Sequence, residues 1–162
     1  MGAIFICHGL QKWLGLFQGP GMDKSIRFFE SIGHRPGRLN VSLSVSAELL
    51  SGVLFALGLL TPLAGAIAIG TMLTAGASVS AAKKVFWNAA GGGEYPLVLA
   101  IMAAAVTQAG PGMYSLDALS GISGWPEPAR LAAILVGAVS AVIPTSLAIR
   151  RQQDRRGRIL KV

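Results

Sequence analysis

The run Val41–Leu60, VSLSVSAELLSGVLFALGLL, constrains this chain more than any other stretch. It has the length and apolarity of a transmembrane helix, which needs about 20 mainly apolar residues. Its single charged residue, Glu48, falls well inside the run. An ionised acid at the centre of a membrane helix costs about 2.5–3.5 kcal/mol on insertion scales. Something must compensate: a paired cation, a hydrogen-bond network, a water-filled cavity, or a proton on the carboxyl.

Composition points the same way. Only 13% of residues are charged and 52% are hydrophobic, whereas soluble domains average about 25% charged. Several long uncharged runs make this a polytopic membrane protein, and the length suits one membrane domain over residues 1–162. The net charge of +7 is concentrated in the tail RRQQDRRGRILKV. A basic tail beside a membrane helix is a topology signal or an anionic-lipid contact. No nucleic-acid-binding motif accompanies it, so the expected partner is the lipid bilayer and not a nucleic acid. Cys7 stands alone, which excludes an intrachain disulfide, a CxxC redox pair and a cysteine zinc cluster.

Hydropathy and breakers predict an all-α helix bundle with spans over about 1–17, 41–60, 63–82, 95–109 and 131–149, then a basic cytoplasmic tail, 150–162. Between the first two, Met22, Ile26, Phe29 and Ile32 recur at helical spacing among Lys24, Arg27 and Glu30. That pattern predicts a short amphipathic helix in the interface. In the third span Gly65, Gly70, Gly76 and Ser80 form a small-residue seam that permits close helix approach and is compatible with a homodimer. Pro144 predicts a bend in the last span. Ser115 and Asp117 read as caps of a short helix.

One set of loops carries Lys24, Arg27, Arg35, Arg38, Lys83, Lys84 and the basic tail, while the opposite set carries only Arg130. The excess of Lys and Arg predicts the N-terminus outside and the C-terminus in the cytoplasm of a cell (inner or plasma) membrane, crossed several times.

Depth then gathers the polar residues. His8 and Lys12 are i and i+4 and share a helix face. A rise of 1.5 Å per residue puts both level with Glu48, roughly 8–13 Å inside the cytoplasmic boundary. Trp87, Asn88 and Glu94 fall at the cytoplasmic mouth of the fourth span. One polar pocket is therefore expected, with His8, Lys12 and Glu48 as candidate catalytic groups and Trp87, Asn88 and Glu94 as candidate binding groups. A carboxyl and an imidazole so placed can exchange protons near neutral pH. The structural alternative is an ion pair, Lys12 to Glu48, tying two spans together.

His8, Glu48 and Glu94 include ligand types that suit several metals, but no metal site is assigned. His34 sits in a loop and there is no CxxCH, so haem ligation is not expected. Gly91–Gly93 lacks the Lys-Ser/Thr that completes a phosphate-binding loop.

The stretches HGLQKWLG, FFESIG, AELLSGVLFALGLLTPLA, FWNAAGGGEYPL and GPGMYSLDAL, in that order, resemble the DoxX/DoxD family of small membrane proteins. The resemblance runs from His8 to Leu119 and implies a four-helix membrane core, to which this chain adds a fifth C-terminal span and the interfacial helix. Matching positions include His8, Gly9 and Lys12, then Glu48 and Gly52, then Asn88, Gly93 and Glu94, and finally Gly110–Gly112 and Asp117. Relatives begin with a longer first helix bearing an upstream Arg, which this sequence lacks. The DoxD branch is a subunit of a thiosulfate:quinone oxidoreductase, so the resemblance implies a quinone-interacting membrane subunit of a redox complex. The chain carries no haem, flavin or iron–sulfur signature, so electrons would come from a redox partner protein or a substrate. A non-enzymatic accessory or scaffold protein, and a small proton or solute carrier, stand as alternatives.

Overall fold

The computed structural model describes residues 1–122 and 124–159. Regular structure among them is entirely helical: α1 (Gly2–Leu14), α2 (Gly21–Ser31), α3 (Gly37–Leu57), α4 (Thr61–Lys83), α5 (Glu94–Ala109), α6 (Leu116–Leu119), α7 (Glu127–Ser140) and α8 (Val142–Ile159). A 3₁₀ turn, Asn88–Ala90, precedes α5.

Three helical stretches are long and apolar enough to cross a membrane: α3, α4, and the α7–α8 rod over Glu127–Arg155. α5 is a shorter apolar helix, and α1 has 13 residues; they correspond to the first and fourth expected spans, 1–17 and 95–109. α1 stops short of residue 17 at Gly15, whose φ of 72° is left-handed, and α5 starts directly after Gly93, the end of the glycine run. Their apolar faces still pack as part of the bundle. The outer surface is what lipid demands: Ile101 and Ile143 are 70% and 69% exposed. In water such faces would seek burial, whereas in hydrocarbon they cost nothing.

α4 is the axis. It packs on α3, α5, α7 and α8, while α1 lies along α3. Phe5 of α1 is fully buried in a core with Ala68 and Met72 of α4 and Leu99 and Ala103 of α5. Small residues set the separations. A Cβ on Gly2 would lie 2.5 Å from the Gly52 carbonyl, so α1 and α3 touch backbone to backbone. The α4 seam is used inside the chain: Gly65 faces Thr107 of α5, Gly70 faces Ser140 of α7, and Ser80 accepts a hydrogen bond from the Gly93 N–H.

The last rod breaks at Ala141, three residues before Pro144. Proline has no N–H for the Ser140 carbonyl and its ring crowds that group, which places the break one turn upstream. The helix then runs on through the basic segment. Gln152 donates to the Ile32 carbonyl and Arg151 to the Arg35 carbonyl. The start of the expected tail is therefore helical and docked where α2 meets α3. Residues 160–162 of that tail lie outside the described residues.

Candidate functional site

The Lys12 ammonium on α1 donates to Glu48 Oε1 on α3, forming a salt bridge. It also donates to Ser44 Oγ at 3.0 Å, one helical turn from Glu48. Its Nζ lies 5.7 Å from the centroid of the Phe29 ring on α2, within cation–π range. Glu48 is only 1% exposed. The ion pair is thus the compensation that the Val41–Leu60 run requires.

His8 takes a different partner. Its Nε2 meets Tyr95 Oη on α5 at 3.1 Å, and its Nδ1 meets Gln11 Oε1 at 3.0 Å. The Gln11 amide is oriented by its Nε2 donating to the Phe17 carbonyl. An amide oxygen only accepts, so Nδ1 carries the imidazole proton and Nε2 receives the Tyr95 hydroxyl. His8 and Lys12 share one face of α1, but that face spans the groove between α3 and α5, and the two side chains reach opposite walls.

Both walls belong to one cavity of about 1050 Å³. Ligand pockets for small molecules run about 300–1,000 Å³. The lining is mainly apolar, from Phe28, Met72 and Leu99 among others, with His8, Lys12 and Glu48 supplying polar groups. Helices α1–α5 contribute, and Ser140 and Pro144 of the last rod also line it. Asn88 also lines it. Glu94 and Trp87 are not among the lining residues: Glu94 Oε2 accepts the Asn88 N–H at 2.9 Å, and Trp87 is 64% exposed. Of the six residues that sequence reasoning grouped, four share the cavity and two stand outside it. Two buried oxygens of lining residues, Glu48 Oε2 and Ser25 Oγ, have no hydrogen-bond partner among the described residues. No group of three His, Cys, Asp or Glu side chains among the described residues is arranged to hold a metal.

Four further residues matter that sequence reasoning assigned elsewhere or passed over. Tyr95 carries no sequence signal that pairs it with His8, and only the tertiary fold, which brings α5 to α1, makes it that partner. Ser44 gives no signal beyond its i, i+4 spacing to Glu48. His34 reads as a loop residue, yet it is buried and its Nε2 meets Ser78 Oγ at 2.9 Å. Burial, followed by the Arg151 guanidinium, holds its imidazole below the ordinary value of 6.5. Asp117 reads as a local cap. Ser115 does cap α6, accepting the Ala118 N–H, but Asp117 reaches back to α4. Its carboxylate accepts from the Leu60 N–H (2.8 Å), the Thr61 N–H and hydroxyl, and the Trp125 indole (2.8 Å). Burial alone would raise its pKa; the bonds from Trp125, Thr61 and Leu60 outweigh it and hold the carboxyl below the usual 3.8.

A helical bundle with lipid-compatible outer faces, a buried ion pair and an apolar cavity defines a polytopic membrane protein. The DoxX family model matches residues 1–81, half of the chain, from α1 through nearly all of α4. The chain belongs to the DoxX family. Lys12 and Glu48 fall within the match; the stretches from Phe86 and Gly110 that resemble the family lie beyond it. No curated protein and no solved structure matches the chain.

Proposed function

We propose that this DoxX-family protein is a quinone-interacting membrane subunit of a redox complex, and that the cavity lined by helices α1 to α5 holds the quinone. The observation that carries this is one apolar space of about 1050 Å³ with an ion pair and a hydrogen-bonded imidazole in its wall. Quinone reduction needs protons delivered beside an apolar slot. Lys12, Glu48 and the hydrogen-bonded Tyr95–His8 pair are groups able to hold and pass protons there, with Gln11 orienting the imidazole. Electrons come from a partner protein or substrate. The Lys and Arg residues near α2, the end of α4 and α8 favour placing this end of the bundle, with the C-terminus, in the cytoplasm. The test is saturable binding of quinone analogues to the protein in lipid, lost in Glu48→Gln; absence of binding by oxidised and reduced analogues alike removes the proposal.

One observation favours a second reading, an accessory scaffold. The Lys12–Glu48 pair bridges α1 and α3, the role that a purely structural ion pair would play. A double variant, Lys12→Met with Glu48→Leu, that keeps cellular function would select it.

A further inference from the structure

The polar groups of the cavity are unevenly spent. Lys12 gives its protons to Glu48 Oε1 and Ser44 and faces the Phe29 ring. His8 gives its one proton to Gln11, and Tyr95 gives its own to His8. The donors of these three side chains are thus committed within the wall. Two oxygens of lining residues are buried with no partner among the described residues: Ser25 Oγ, a hydroxyl that can donate or accept, and Glu48 Oε2, a carboxylate oxygen that can only accept; the Tyr95 oxygen, having donated, also retains lone pairs. A buried carboxylate oxygen without a donor is costly, and the terminal torsion of a Glu side chain is soft enough to turn that oxygen toward a neighbour.

We infer that the cavity selects lipophilic ligands whose head group donates a hydroxyl hydrogen bond to Glu48, and so holds a quinol in preference to the matching quinone. This rests on the cavity being a ligand site, as proposed above. A quinone presents carbonyl oxygens, which would face an acceptor; a quinol presents O–H groups, which satisfy it. The same rule admits isoprenoid alcohols, whose single hydroxyl has the same chemistry and whose tail suits the apolar walls. A hydrogen bond to a charged acceptor corresponds to a preference of about ten-fold or more.

The experiment is equilibrium binding to the full chain in lipid nanodiscs, without oxygen, using decylubiquinol, decylubiquinone, the dimethyl ether of decylubiquinol, and farnesol. The expected result is quinol binding at least about ten-fold tighter than quinone, with the ether no better than the quinone and the preference lost in Glu48→Gln. The ether comparison needs no variant, so it stands even if Glu48→Gln fails to fold. Equal binding of quinol, quinone and ether overturns this inference and leaves the quinone reading intact. Farnesol binding that needs Glu48, with no quinol or quinone binding, keeps the donor rule and removes the quinone reading. No binding by any of the four removes both.

Discussion

Lys12 and Glu48 meet across the α1–α3 contact at a point where the carboxylate is 1% exposed and the lysine side chain 23% exposed. The pair therefore sits at the cavity wall with the acid inside and the amine toward the opening. Removing one partner of a buried pair is expected to destabilise by about 3–5 kcal/mol, because the other charge is left uncompensated. Lys12→Met alone should lower the melting temperature in detergent sharply. Lys12→Met with Glu48→Leu should recover most of that loss. A double variant as unstable as the single would mean that the pair does more than cancel its own charges. A stable double variant that no longer binds quinol or quinone would separate ligand binding from scaffolding.

The membrane bundle was legible in the sequence because hydrocarbon forces backbone groups to pair within a helix, so long apolar runs announce spans. Depth was legible for the same reason, and it placed Lys12 level with Glu48. Direction around the helix axis was not. His8 and Lys12 differ by one turn, and which neighbour each meets depends on how α1 rests between α3 and α5, a fact of tertiary packing. Glu94 lies at the cavity mouth in sequence, yet its carboxylate turns back to the Asn88 N–H and stays out of the lining. Asp117 shows the same limit over a longer distance. Its local role as a cap is the shortest one that sequence offers, while its partners Leu60 and Thr61 lie more than fifty positions away.

Asp117 caps α4 from outside that helix, so its loss should loosen the α3–α4 turn. Asp117→Ala leaves the Leu60 and Thr61 N–H groups and the Trp125 indole without their acceptor. A loss of about 1–2 kcal/mol is expected from the cap alone. Since the folded-state pKa lies below 3.8, the carboxylate's contribution is full above that value and is lost as pH falls through the folded pKa. Melting curves across that acid range should fall more steeply for the native chain than for Asp117→Asn. Trp125 fluorescence gives a local readout of the same bond. Parallel pH profiles would mean that Asp117 is not held ionised by these donors.

His34 predicts pH dependence nearer neutrality. Its imidazole meets Ser78 of α4, packs near the Phe29 ring of α2, and faces Arg151 of α8. A base held below its ordinary pKa binds fewer protons when folded than when unfolded. Stability should therefore begin to fall as pH drops through 6.5 and level off below the folded pKa. The weakened element should be the α8 segment, because Gln152 bonds both Ile32 and Ser78 beside the imidazole. Hydrogen exchange over residues 150–159, corrected for intrinsic pH effects, should rise between pH 7.5 and 5.5 in the native chain and stay flat in His34→Phe. A rise of the same size in both would assign the change to other groups.

Gly93 tests whether helix separation controls the site. A Cβ there would stand 2.0 Å from the Gly76 carbonyl of α4, a distance no side chain tolerates. Gly93→Ala must therefore push the start of α5 away from α4, and overpacking of this kind costs about 1–3 kcal/mol. Tyr95 lies two residues on and would move with the shifted backbone, drawing its hydroxyl from His8. The expected outcome is a folded but less stable protein with weakened ligand binding, matched by Tyr95→Phe in binding but not in stability. Circular dichroism melts and equilibrium binding in nanodiscs separate the two. If Gly93→Ala lowers stability yet binds like the native chain, the Tyr95–His8 bond has no part in holding the ligand, and Glu48 must act without it.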